Sequence, residues 1–182
     1  YGDLWVGTYN GLNRYSYSQG RFYRFYNDKN DPTSLANNSV WAIHEMDNGE
    51  IWVGTGGGLT IYKDGKSFRV QHDPADDKSL SGNYVVEIFQ DSRDDIWIGT
   101  SKGLNRVSAR EGNKISFDRY LSDPGQQGTL SDNFVQSIAE GLDGTLWFGT
   151  RGGLHRLEEQ DRFVAFHHDP ADPASISNDD VR

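Results

Sequence analysis

One pentapeptide written four times governs what this chain can become. Leu4-Trp5-Val6-Gly7-Thr8, Ile51-Trp52-Val53-Gly54-Thr55, Ile96-Trp97-Ile98-Gly99-Thr100 and Leu146-Trp147-Phe148-Gly149-Thr150 place tryptophan at intervals of 47, 45 and 50 residues. A period of this length marks a supersecondary unit that buries its apolar faces only by stacking on further copies of itself. Each pentapeptide leads into a Gly-Leu pair at Gly11-Leu12, Gly58-Leu59, Gly103-Leu104 or Gly153-Leu154, then into an aromatic strand counted from Phe22, Phe68, Phe117 or Phe163. An Asp follows (Asp28, Asp73, Asp123, Asp169), ahead of the steps Ser34-Leu35, Ser79-Leu80, Thr129-Leu130 and Ser175-Ile176. Asn38, Asn83, Asn133 or Asp179 comes next, with Val40, Val85, Val135 or Val181 two residues on.

The second copy resolves into four strands, roughly 40–46, 50–55, 59–63 and 68–72, with turns at Asp47-Asn48-Gly49 and Gly57-Gly58. Four strands at a period of 45 to 50 predict an all-β chain of β-propeller blades, each a four-stranded antiparallel sheet. Blade repeats are expected at about 1–38, 39–83, 84–133 and 134–178, with 179–182 opening another blade. The first blade lacks its first strand, so a partial propeller, an excerpt of about four blades from a larger ring, is the expectation. Side chains alternate along a strand, which puts Ile51, Val53 and Thr55 on one face and Trp52 and Gly54 on the other. Both faces are apolar or small, as in a sheet sandwiched between neighbours. Trp5, Trp52, Trp97 and Trp147 are therefore expected as inter-blade core, each beside a glycine that makes room for it. The longest repeat carries the polar stretch 108–114, expected as an extended hairpin loop.

Composition excludes several partners. Eighteen basic against 27 acidic residues give a net charge of -9, which repels phosphate backbones and anionic lipid. Neither nucleic acid nor direct membrane contact is expected. No apolar run approaches the roughly 18 residues of a membrane helix, and no signal-peptide pattern is present. The absence of cysteine excludes disulfides and thiolate chemistry. The chain opens at Tyr1 rather than methionine and reads as an excerpt.

Candidate chemistry weighs little against structural roles. Gly56-Gly57-Gly58 leads into a strand, whereas a phosphate-cradling loop must open a helix. His72-Asp73 and His167-His168-Asp169 could ligate a metal, but the histidines become Asn27 and Ser122 in other copies while the Asp persists, which points to Asp folding its own loop. The acidic stretches 28–31 and 91–95 lack the order of an EF-hand. No nucleophile elbow or zinc-protease motif appears, so no catalytic residue, metal or cofactor is expected. Function is expected where copies differ. After Gly-Thr the residue is Tyr9, Gly56, Ser101 or Arg151, and before the first-strand valine it is Ser39, Tyr84, Phe134 or Asp180. These sites fall on loops sharing one propeller face. Tyr9, Tyr84, Phe134 and Arg151 are the candidate ligand contacts there, suited to a saccharide or a carboxylate-bearing molecule.

The ordered pattern Asp-Asn-Gly-Glu-Ile-Trp-Val-Gly-Thr-x-x-Gly-Leu with His-Asp-Pro-x-x-x-x-Ser-Leu-Ser-x-Asn-x-Val resembles the two-component regulator propeller repeat, and the resemblance spans essentially the whole chain. It implies that the ring is seven-bladed, with about four of its blades here, and that the chain is a non-enzymatic, periplasmic ligand-sensing segment of an inner-membrane receptor whose output is a histidine kinase or diguanylate cyclase. The remaining blades of the parent chain, a homodimer of that parent and a small-molecule or oligosaccharide signal are the implied partners. A propeller enzyme, such as a lyase or glycan-active protein, and a protein-interaction scaffold are the alternatives. Three positions depart from the family pattern: Asp94 sits where Gly49 and Gly144 turn the chain, Asp179 replaces Asn, and Lys29 replaces the Pro that follows Asp elsewhere.

Overall fold

The computed structural model describes residues 2–182. They form fifteen strands in four antiparallel sheets, with one short turn of 3-10 helix at Glu159–Asp161. The first sheet has three strands, β1 (Leu4–Thr8), β2 (Gly11–Ser16) and β3 (Arg21–Phe25). The second contains β4 (Val40–Glu45), β5 (Ile51–Thr55), β6 (Gly58–Lys63) and β7 (Lys66–Val70). The third contains β8 (Val85–Gln90), β9 (Ile96–Thr100), β10 (Gly103–Glu111) and β11 (Lys114–Tyr120), and the fourth β12 (Val135–Glu140), β13 (Leu146–Thr150), β14 (Gly153–Glu158) and β15 (Arg162–Phe166). Strands pair in sequence order within each sheet, so the chain is a series of meandering propeller blades.

The core is the set of gaps between sheets. Val53 and Ile51 pack toward the first sheet with Leu12, Leu35 and Trp5, while Trp52 on the opposite face of β5 packs with Ile88, Ile98 and Phe117 of the third. Trp97 likewise joins Val135, Ile138, Phe148 and Phe163 of the fourth. Trp52 and Trp97 are fully buried, whereas Trp5 and Trp147, in the two outer sheets, are partly exposed. The motif glycine does a different job from the one expected: it makes room not for the tryptophan but for the next blade. A Cβ at Gly54 would lie 2.8 Å from Val85 Cγ1, one at Gly99 2.7 Å from the Val135 carbonyl, and one at Gly149 2.8 Å from the Val181 carbonyl. Each recurring valine thus seats in the notch left by the glycine of the preceding sheet, and backbones approach too closely for any side chain.

The recurring polar residues fold the connections between blades. Asp28, Asp73, Asp123 and Asp169 each accept a hydrogen bond from the amide two residues on, at 2.8 to 2.9 Å. Asn38, Asn83, Asn133 and Asp179 accept from the amides of Asn27, His72, Ser122 and His168 at 2.7 to 2.8 Å, so the Asn-to-Asp change keeps its acceptor. His72 and His168 place Nδ1 against the carbonyls of Leu80 and Ile176, and the Asn27 amide donates to the equivalent Leu35 carbonyl. At the departure from the turn pattern, Asp94 itself takes a left-handed backbone, φ 67°, like Gly49 at 77° and Gly144 at 78°.

Two further expectations are corrected. The stretch 108–114 is not a loop: it lengthens β10 and β11, which are joined by a tight turn at Gly112 and Asn113 after a bulge at Ser108. Phe68 is not the counterpart of Phe22, Phe117 and Phe163. Asp64-Gly65, both with positive φ, make a two-residue hairpin turn, so β7 starts at Lys66. Tyr62 then pairs with Ser67, as Tyr15 pairs with Phe22, Val107 with Phe117 and Leu157 with Phe163. A one-residue difference turns Phe68 to the other face of its blade.

Candidate functional site

The threonine of each pentapeptide builds a platform on one face. Thr8, Thr55, Thr100 and Thr150 donate their hydroxyls to the carbonyls of Gly11, Gly58, Gly103 and Gly153 at 2.7 to 3.0 Å. The same oxygens accept the amides of Asn10, Gly57, Lys102 and Gly152, which fixes the turn and presents the residue between: Tyr9, Gly56, Ser101 or Arg151. The second variable position is held against the first. The amides of Gly56, Ser101 and Arg151 donate to the carbonyls of Ser39, Tyr84 and Phe134 at 3.0 to 3.3 Å. The two sites singled out by their variability are therefore hydrogen-bonded neighbours in each complete blade.

Across blades these positions join in one aromatic row. The Tyr9 ring meets Trp41 edge-on at 5.3 Å, Trp41 lies 5.3 Å from Tyr84, and Tyr84 lies 6.2 Å from Phe134. The Arg151 guanidinium caps the row 4.0 Å from the centre of the Phe134 ring. Tyr9 and Trp41 are 75% and 40% exposed, so the row presents ring surface to solvent. Among the described residues Arg151 has no ion-pair partner. Partial burial raises the Tyr84 phenol above its ordinary range, so it stays a neutral donor and acceptor. Beyond Arg151 the face continues into Asp180, which accepts a hydrogen bond from Gln136 and pairs with Arg182 at 3.1 Å.

Trp41 is absent from the sequence expectation. It is the fifth tryptophan, the one outside the repeated pentapeptide, and that was its only signal. It falls on a β-bulge, where the register slips between Val40 and Ala42, and a bulge re-aims the side chain it carries. The repeat tryptophans take no part in the row. The acidic stretch 91–95 is committed to structure, since Asp91 accepts the amides of Arg93 and Asp95 and the indole of Trp97; outside the sequence candidates, buried His155 takes the Ser131 amide on Nε2. Burial holds the His155 imidazole below its usual pKa, so it stays neutral. Among the described residues no three His, Cys, Asp or Glu side chains converge as a metal site.

The family model described as the two component regulator propeller matches residues 34–57, 79–102 and 129–152, each running from the Ser/Thr-Leu step through the Trp-x-Gly-Thr strand. Three of its copies thus match the two-component regulator propeller repeat. No curated protein matches the sequence significantly. Solved structures similar to this chain include two extracellular domains assigned to hybrid two-component systems of B. thetaiotaomicron. Both are 24% identical, with TM-scores of 0.75 and 0.77, over 98% and 92% of this chain. The chain spans only 22% and 23% of those two domains. A virginiamycin B lyase from Staphylococcus aureus shares the fold at 18% identity and a TM-score of 0.61, over 93% of this chain and 53% of the lyase.

Proposed function

We infer that this regulator propeller segment is a non-enzymatic, ligand-sensing part of the extracytoplasmic portion of a bacterial membrane-spanning receptor, with kinase or cyclase output elsewhere in the parent. The carrying observation is the row Tyr9–Trp41–Tyr84–Phe134 closed by Arg151. Ring faces in a line stack on the apolar faces of successive sugars, and a guanidinium supplies a planar, doubly hydrogen-bonded grip on a carboxylate. An oligosaccharide, or a shorter ligand bearing a carboxylate, fits that order. The likeness to extracellular domains of hybrid two-component systems supports the location and the sensing role. In this reading the ligand acts by favouring one of two arrangements of a homodimer of the parent, to which it must bind with unequal affinity.

Calorimetric titration with neutral and acidic oligosaccharides tests the proposal. Saturable binding that falls about tenfold or more in Trp41→Ala or Tyr84→Ala supports it. Binding that survives both changes refutes the row as the contact surface. The likeness to a lyase propeller favours the enzyme as second reading. Turnover of a bound ligand in the same titration would establish it.

A further inference from the structure

Between the first and second sheets, away from the aromatic row, lies a cleft of about 590 Å³ lined by Trp5, Phe25, Tyr62, Arg14, Leu35 and Ser67. The repeat does not require it. At the register position of Ser67 the third and fourth sheets carry Phe117 and Phe163, only 0% and 5% exposed, which plug the corresponding gaps. Here the aromatic ring comes instead from Tyr62 on the paired strand, 5.8 Å from Trp5 and 5.5 Å from Phe25. Ser67 turns its hydroxyl to the Thr33 carbonyl at 2.6 Å and leaves the remaining space open.

Two features of the lining point to what fills it. The Tyr62 hydroxyl is buried without a hydrogen-bond partner, a costly state that a ligand donor would relieve. Burial pushes this phenol up to about 12, so it stays un-ionised with lone pairs free to accept. The charges are also unbalanced. Arg14 lies 3.5 Å from Asp3, and Lys63 lies 3.5 Å from Glu50. Asp31, Glu45 and Asp64 also line the cleft; Asp31 is engaged by Thr33 and faces the Arg69 guanidinium, which also acts on Tyr62, while among the described residues Glu45 and Asp64 have no ion-pair partner. The Arg14 guanidinium already rests 5.7 Å from the Trp5 ring, so this indole accepts a cation against its face.

We propose that this inter-blade cleft is a second binding site, separate from the aromatic row, for a small organic cation: an ammonium group on an apolar or aromatic body. The body occupies the place that phenylalanine fills in the other gaps. The ammonium donates to the Tyr62 hydroxyl in a cleft that Glu45 and Asp64 also line.

The probe is 2-phenylethylammonium, titrated calorimetrically into the protein beside 2-phenylethanol and phenylacetate, which keep the ring and change the charge. One saturable site per chain is expected for the cation, with the alcohol about tenfold weaker and the anion weaker still. The pair Tyr62→Leu/Ser67→Phe copies Leu157 and Phe163 of the fourth sheet and should abolish binding. Tyr62→Phe, which removes only the hydroxyl, should weaken it roughly three- to tenfold. Trp41→Ala should leave it unchanged. Absence of saturation, equal binding of the alcohol, or binding retained in the filled variant overturns the proposal. If the double change unfolds the chain, Tyr62→Phe and the alcohol comparison decide alone.

Discussion

The gap between the third and fourth sheets and the gap between the first and second are made from the same repeat, yet one is closed and the other open. In the closed gap Trp97 is fully buried, in contact with Tyr120 and Phe148, while Phe163 seals the outer strand. In the open gap Trp5 is only partly buried, Ser67 replaces the sealing ring, and a cleft remains. Arg106 and Arg14 lie over the two indoles in the same way, at 5.4 and 5.7 Å. The recurring residues therefore fix how blades stack, and Ser67 leaves empty the place that Phe163 fills in the closed gap.

The sharpest way to break this comparison is to remove each indole in turn. Trp97→Ala should cost about 4 kcal/mol of unfolding free energy, a large buried side chain leaving a cavity, and Trp5→Ala about half of that. Equal losses in denaturant titrations would show that the two gaps are packed alike. Gly99→Ala should come next, at about 2 to 3 kcal/mol, because its new Cβ meets a backbone carbonyl that cannot rotate away. Gly56→Ala, where nothing lies closer than 3.4 Å, should change stability by less than about 0.5 kcal/mol.

The gap between the second and third sheets is tied by charge. Arg110, on the lengthened hairpin, holds Glu50 through two hydrogen bonds at 2.5 and 2.8 Å, and Glu50 Oε2 also takes the Trp52 indole at 3.1 Å. The Arg110 guanidinium holds this carboxyl down to about 2. Because the folded value lies below the unfolded one, the stabilisation is complete above about pH 4.5 and disappears as the pH falls toward 2. Glu50→Gln should therefore cost roughly 2 kcal/mol at pH 7, allowing for partial solvent screening around Arg110, and almost nothing near pH 2. A pH-independent difference in melting would remove the ion pair from the account. A small effect of opposite sign is expected at Asp94→Gly, a gain of about 0.5 kcal/mol, since glycine adopts the left-handed turn that Asp94 now occupies. A loss there would mean that the contact of Gln90 with the Asp94 carboxylate, at 3.2 Å, outweighs backbone strain.

The blade was legible because its signals are local or alternate with period two: glycine turns, Asp and Asn loops that bond their own backbone, and the opposite faces of Ile51, Trp52 and Val53. The candidate ligand positions were legible as variation between copies, and their pairing by backbone hydrogen bonds follows from the same turn in each blade. Trp41 escaped because a bulge, which no pattern in the sequence marked, set its direction. The Ser67 substitution escaped because Phe68 sits one residue away, and only the Asp64-Gly65 turn shows which of the two faces the first sheet.

The sequence by itself thus determined the blade, its four-strand order and the residues that stack blade on blade. Tertiary structure alone decided which variable side chains from residues 9 to 151 meet in one row, and which gap stays open. The physical reason is that the neighbouring rings come from different blades, 32 to 50 residues apart, with only Phe134 and Arg151 sharing one. Their meeting depends on register and bulges, where a shift of one residue moves a side chain to the opposite face.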